Sequence, residues 1–414
     1  MSAMTSPVTN TGITPRDRRV LVGVGVTLFL LVFIVDCRPW DLENALMIGA
    51  PIGRDFVNFW IGGRLALEGR LDLLADFDGY NALIHQLFHH KAGGLVFSYP
   101  PHILLFLAPF GAIPLLPAVL LWSAANLWLV MRAARLLSPD HELAWAACLS
   151  PAALVMVAVG HFGGALAFLA VLILTRGSRQ PVLAGCCLAL ISVKPQFAAS
   201  FALFLLLIGH WRVVLVAMPA TAGLVGLSVL AFGTTPWLNF FAWTLPLHAR
   251  ILADFQPAAY QTAIAVYTTV RMMGLGHGAA WALQLAYGLP LLVAAALVFR
   301  RHGADARTIA LGLLAVILLL PYSAVHDLAI VAPALTVALF AEPAGTQPPL
   351  LGLGAANALW LAPAVAIPLG QLGLPLVAVV VAVTAVVAML GQLRSWAPRD
   401  RSASVPRADT AWSP

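Results

Sequence analysis

GRDFVNFWIGGRLALEGR, residues 53–70, is the stretch whose reading decides the fold. Wound as a helix, it puts Phe56, Phe59, Trp60, Gly63 and Leu67 on one stripe, with Asn58 and Glu68 away from it and Arg64 at its flank. The segment is too charged to cross a bilayer and too apolar to be a solvated loop, so it reads as a helix resting in a membrane interface. Asp55 stands at its start, where Asp serves either as a helix cap or as a reactive carboxylate. The rest of the chain agrees with a membrane setting. It is 61% hydrophobic and 10% charged, against about 25% charged in soluble domains. The mean hydropathy is +0.91. Recurring apolar runs fit helices that satisfy their own backbone, so the chain reads as an all-α polytopic membrane protein.

About twelve spans are expected, at 20–36, 114–131, 142–159, 162–175, 181–193, 196–209, 212–232, 279–299, 306–321, 324–340, 349–368 and 372–392. The first run lacks an Ala-x-Ala cleavage pattern and reads as an anchor. Placing the N-terminus in the cytoplasm puts most of the 23 Lys and Arg inside, including Arg16, Arg18, Arg19, Arg132, Arg135, Arg300 and Arg301. The expected layout is a cytoplasmic tail over 1–19, a transmembrane domain over 20–393 and a disordered cytoplasmic tail over 394–414, with long outer loops at 37–98 and 233–278. The net charge of +6 follows from this topology and does not call for nucleic acid. Of the four cysteines, Cys148, Cys186 and Cys187 lie in apolar runs and read as packing residues.

Five polar motifs interrupt the apolar pattern: Arg54-Asp55, Ser98-Tyr99-Pro100-Pro101-His102, His161, Lys194-Pro195-Gln196 and His326-Asp327. The positive-inside count puts all of them on the outer side. Ionisable groups at membrane depth cost about 2.5–3.5 kcal/mol each on insertion scales, so gathering them on one face implies a site there. Lys194 reads either as a substrate-facing cation or as a snorkelling interfacial lysine, and Tyr99 either as a site residue or as part of an aromatic belt. The two prolines after Tyr99 make 97–114 a bent or re-entrant element beneath the outer loop.

These motifs resemble glycosyltransferase family 87, in order, from about Asp55 to Pro333: Gly-Arg-Asp-Phe-x-x-Phe-Trp, Tyr-Pro-Pro before an apolar run, Lys-Pro-Gln between two spans, and Pro-Tyr-x-x-x-His-Asp-Leu. The family includes mycobacterial polyprenol-phosphate-mannose-dependent mannosyltransferases. The resemblance implies a GT-C fold in the bacterial plasma membrane, with an extracytoplasmic site built on loop helices. It implies a polyprenyl-phosphate-linked sugar as donor and a hydroxyl of a glycolipid or lipid-linked glycan as acceptor. Asp55 matches the catalytic base, and His326 the supporting histidine. Arg54, Arg64, Tyr99, His161, Lys194, Gln196, Arg250 and Asp327 are the expected donor-phosphate or substrate-binding residues. Relatives commonly carry Gly-Gln where this chain has Gly160-His161, so an imidazole replaces an amide.

The chemistry agrees with that reading. A sugar phosphate already carries a good leaving group, so the protein must take the acceptor proton and stabilise the departing phosphate. No metal or other cofactor is expected. Asp76-Phe77-Asp78 offers only two carboxylates, and His85, His89 and His90 have no evident third partner. The rival readings are another lipid-linked glycan polymerase or ligase, and a transporter or flippase. Against the transporter, no inverted repeat is visible and the ionisable groups gather at one face instead of the midplane.

Overall fold

A computed structural model describes residues 15–37, 53–87, 95–341 and 353–394. Within these residues the fold is helical, and the sole β-type contact is an antiparallel bridge between Ala263 and Ala324. Most of the expected tails and part of the first outer loop, including His89, His90 and Lys91, lie outside the described residues, whereas the helix Pro15–Cys37 begins within the expected N-terminal tail.

Fewer single helices among the described residues have the length of a full span than the twelve apolar runs suggest. Among the described residues four helices are long and apolar enough to cross a membrane: Leu115–Leu137, Trp211–Phe232, His277–His302 and Leu376–Leu393. A fifth results if His141–Cys148 and Pro151–Val159, bent by 46° at a break, form one span. Gly163–Arg176, Pro181–Ile191, Pro195–Leu207 and Ala306–Leu318 are apolar but shorter. At 1.5 Å per residue, a 13-residue helix covers about 20 Å of a hydrocarbon core about 30 Å thick. Ala306–Leu318 is buried along its whole length from Thr308 to Leu318, so it is core in character. Two expected spans break up. In place of 324–340 there is a 3-10 turn, Val325–Ile330, and a nine-residue helix, Ala332–Phe340. In place of 349–368 there are Leu353–Leu361, a 3-10 turn carrying Pro363, and Ala366–Gln371 carrying Pro368. Proline withholds the backbone donor that a continuous helix needs.

The long helices present apolar residues outward, among them Leu116, Leu120 and Trp128 on Leu115–Leu137 and Met218 and Leu230 on Trp211–Phe232. In water such surface would be unfavourable, whereas against lipid it matches its solvent. The two ends of the bundle differ. At one end Arg18, buried, donates to Asp140 at 3.0 Å and to the Phe340 carbonyl at 2.9 Å. At the other, the start of Leu115–Leu137 meets the helix Arg54–Glu68, where the Trp60 indole donates to the Ile113 carbonyl at 2.9 Å. A 23-residue helix separates these ends by about 34 Å.

Arg54–Glu68 is helical as expected, but it is enclosed by protein on more than one side. Phe56, Phe59, Trp60, Ile61 and Leu65 are buried, while Leu67, placed on the same stripe from sequence, is exposed. Asn58, expected to face away, is buried too: it donates to the Val96 carbonyl at 2.9 Å and accepts a hydrogen bond from the Tyr80 hydroxyl. The covering layer is the loop helix Phe77–Leu87; the sequence around His85 reads as a solvated loop helix, and the structure buries its Tyr80, Asn81 and Ile84. Beneath Arg54–Glu68 runs the expected bent element, a 3-10 turn at Pro101–Ile103 leading into Leu104–Gly111. The two helices touch through glycines. A Cβ on Gly63 would stand 2.2 Å from the Leu107 carbonyl oxygen, and one on Gly111 would stand 2.3 Å from the Arg64 nitrogen.

Candidate active site

Asp55 lies in the first turn of Arg54–Glu68, but the cap position belongs to Gly53, in the left-handed region at φ 64°. The backbone N–H of Gly53 donates to the Ala158 carbonyl, which ties the start of this helix to the end of Pro151–Val159. That helix stops at Gly160, φ 76°, where a Cβ would come within 2.5 Å of the Phe56 Cβ. The Trp122 indole donates to the Gly160 carbonyl at 3.0 Å and fixes the turn from the side. The next residue is His161. Two left-handed glycines therefore let a helix start and a helix end meet closely enough for Asp55 and His161 to share one place.

His326 completes the group. It sits half-buried in the 3-10 turn Val325–Ile330, held by the pairing of Ile264 N–H with the Ser323 carbonyl at 2.8 Å and of Val325 N–H with the Thr262 carbonyl at 2.9 Å. The His161 and His326 rings are 4.4 Å apart, and His161 stacks on Phe162 at 4.5 Å. One donor atom each from Asp55, His161 and His326 lie within 4.8 Å of one another. His161 is 2% exposed and its Nδ1 has no hydrogen-bond partner. Burial, reinforced by the charge of Lys194 and by His326, pushes the His161 imidazole well below its ordinary value and keeps it neutral.

Lys194 and Asp327 form a buried ion pair beside this cluster. The second Asp327 oxygen accepts the Ala324 N–H at 3.0 Å. Burial alone would raise the Asp327 carboxyl. The Lys194 ammonium, with His326 and His161, overrides that and holds it below the usual carboxylate range. Tyr99 is packed edge-on against Phe59, Phe97 and Phe162. Burial, then the charges of Asp55 and Asp327, drives its hydroxyl well above the ordinary phenol value, so Tyr99 is a neutral hydrogen-bonding group. A small crevice lined by Leu71, Phe97, Tyr99, Pro236 and Phe240 among others includes Tyr99 and does not include Asp55.

The expected site residues thus divide. Asp55, Tyr99, His161, Lys194, His326 and Asp327 come together. Gln196 is half-buried in the first turn of Pro195–Leu207, directly after the Lys194-Pro195 pair. Arg64 is engaged with Glu68 at 2.7 Å and lies over the Trp60 ring, and Arg250 is exposed on Leu245–Asp254. The helix start places Arg54, whose side chain is outside the described part. The Asp76 carboxylate accepts the Gly79 N–H at 3.0 Å at the start of Phe77–Leu87. Sequence reasoning gave no role to His102, which is buried, bonded through Nε2 to the Ser192 hydroxyl at 3.0 Å and stacked on Trp237 at 5.8 Å.

The sequence pattern of glycosyltransferase family 87 matches residues 97–323, more than half of the chain. The chain belongs to glycosyltransferase family 87. No curated protein and no solved structure matches it. Membership makes it a membrane glycosyltransferase. The match is shorter than the Asp55-to-Pro333 range read from the motifs: Tyr99, His161 and Lys194 fall inside the family 87 segment, and Asp55, His326 and Asp327 flank it. The fold nevertheless brings the flanking residues to the ones inside.

Proposed function

We propose that this family 87 enzyme transfers a sugar, mannose or another hexose or pentose, from a polyprenyl-phosphate carrier to a hydroxyl of a lipid-linked glycan. The reaction takes place on the extracytoplasmic face of a bacterial plasma membrane, within a GT-C-type bundle, and Asp55 is the base. The observation that carries this reading is the convergence of Asp55 with His161 and His326 at the end of the bundle opposite Arg18. The outward placement of that end is supported by the Lys and Arg distribution.

In the reaction the acceptor hydroxyl gives its proton to the Asp55 carboxylate as its oxygen bonds to the anomeric carbon. The bond from that carbon to the phosphate oxygen breaks, and the polyprenyl phosphate leaves with the electron pair. General-base help of this kind typically contributes about 10²- to 10⁴-fold in rate. His326, beside Asp55, orients the carboxylate or holds the acceptor, and the neutral Tyr99 hydroxyl is placed to hydrogen-bond a substrate oxygen. Lys194 retains ammonium donors beyond the one directed at Asp327, so it can still address a phosphate oxygen.

The test is Asp55→Asn in nanodiscs with a polyprenyl-phosphate-sugar donor. The change keeps shape and removes basicity, so transfer should fall by at least about 100-fold while the protein stays folded. Transfer at the wild-type rate would refute the role of Asp55.

A further inference from the structure

We infer that Asp55, His161 and His326 form a binding site for a divalent transition-metal ion of the zinc class. The inference rests on the reading of this cluster as the reaction centre and adds a ligand to it. Three donor atoms, two imidazole nitrogens and a carboxylate oxygen, lie within 4.8 Å of one another, close enough to surround a single ion after small side-chain movements. Two histidines and a carboxylate are a donor set of catalytic zinc sites, which keep three protein ligands and leave a further position for water or substrate. Imidazole selects zinc and its neighbours over magnesium and calcium, which prefer all-oxygen shells.

An independent observation points the same way. His161 is almost wholly buried, yet its Nδ1 has no hydrogen-bond partner. Buried polar atoms are ordinarily satisfied, and a buried imidazole with an unpartnered nitrogen, gathered with a second imidazole and a carboxylate, is a group that a metal ion would satisfy. The surrounding charge permits it. Asp327 and Lys194 answer each other, so the nearest cation is already paired and the Asp55 carboxylate offsets the charge of the ion. An ion at this position would add positive charge beside the Lys194 ammonium, part of whose charge is offset by Asp327, for a departing phosphate. One Asp55 oxygen would bind the ion and the other would remain for the acceptor proton.

The experiment uses the full chain without an affinity tag, stripped by chelator in nanodiscs and titrated with zinc by calorimetry. A parallel cobalt titration is read by its visible absorption. One equivalent of zinc should bind, and cobalt should give the absorption of a low-coordinate site with nitrogen and oxygen ligands. His161→Gln and His326→Gln should each weaken zinc by more than about 100-fold, since changes even outside the ligand sphere cost about 10- to 100-fold. His302→Gln, an exposed histidine at the C-terminal end of His277–His302, should bind as wild type. Absence of zinc and cobalt binding by the folded wild type would overturn the inference, as would unchanged affinity in His161→Gln. Full-rate transfer by stripped protein that binds no metal would remove the ion and leave Asp55 as base, whereas wild-type transfer by Asp55→Asn would remove the base whatever zinc does.

Discussion

Replacing Lys194 by Met removes the cation of a buried pair, Lys194 being 6% and Asp327 3% exposed, and leaves the Asp327 carboxylate with the Ala324 N–H as its hydrogen-bond donor and the half-buried His326 ring 3.9 Å away. Breaking a buried pair in this way costs about 3–5 kcal/mol, because a charge without its partner stays in a low-dielectric place. Removing both charges should cost much less. In Lys194→Met with Asp327→Leu the remaining deficit is the unanswered Ala324 N–H, about 1–3 kcal/mol, partly offset by the desolvation no longer required. The two substitutions should therefore be coupled by roughly 2 kcal/mol or more in a double-mutant cycle. Reversible unfolding in mixed micelles, followed by tryptophan fluorescence for wild type, both single variants and the double, gives the four free energies. Donor binding measured on the same four proteins separates scaffold from substrate. A single-variant cost below about 1 kcal/mol, or costs that simply add, would refute the argument and return Lys194 to the role of a substrate cation with no structural counter-ion.

His326→Ala should lower turnover with little change in donor dissociation constant, because its ring stands beside Asp55 while the phosphate is left to the Lys194 ammonium; equal losses in both quantities would count against this split. Gly63→Ala should destabilise by about 1–3 kcal/mol, since the new Cβ meets the Leu107 carbonyl oxygen of the backbone, whereas Gly223→Ala, with nothing within 4 Å, should be neutral or stabilising by up to about 1 kcal/mol. Thermal unfolding of the two variants checks the contrast. In a cysteine-free background, single cysteines at Asp76, Gly177 and Gly303 should label from outside, inside and inside respectively, and outside labelling at Gly303 would overturn the orientation of the second half.

The helical membrane class was legible because hydropathy is summed over long windows, and Leu115–Leu137 and Trp211–Phe232 fall close to where the runs at 114–131 and 212–232 place them. Hydropathy does not distinguish a helix bathed in lipid from one enclosed by protein. Ala306–Leu318 is apolar and enclosed by protein, whereas Leu115–Leu137 is apolar and faces outward, and their hydropathy alone does not tell them apart. The prolines at 363 and 368 were available as warnings that 349–368 could not run straight. At the site, short motifs identified Asp55, Lys194 and His326-Asp327, but a shared membrane face does not mean a shared place. Arg64 and Arg250 are on that face by topology, yet one is engaged with Glu68 and the other is exposed on a separate helix. The grouping of Asp55 with His161 was unreadable in advance because it depends on Gly53 and Gly160 docking, a contact between segments far apart in the chain. The local searches for metal ligands at Asp76-Phe77-Asp78 and around His85 looked for spacing and so passed over residues that only the tertiary fold gathers.

The Lys194–Asp327 pair also sets a schedule for biosynthesis. Its members are 133 residues apart, and at about 5–20 residues per second the ribosome needs roughly 7–27 s to deliver the aspartate after the lysine. During that interval the ammonium has no counter-ion from its eventual partner, and its four-carbon stem lets the charge reach toward headgroups and water at the bilayer edge. An interfacial position, one of the two readings the sequence leaves open for Lys194, is accessible to the nascent chain, whereas the folded chain buries the pair. The pair can form only once Asp327 has been made, so this corner of the enzyme cannot be completed before synthesis has entered the C-terminal third.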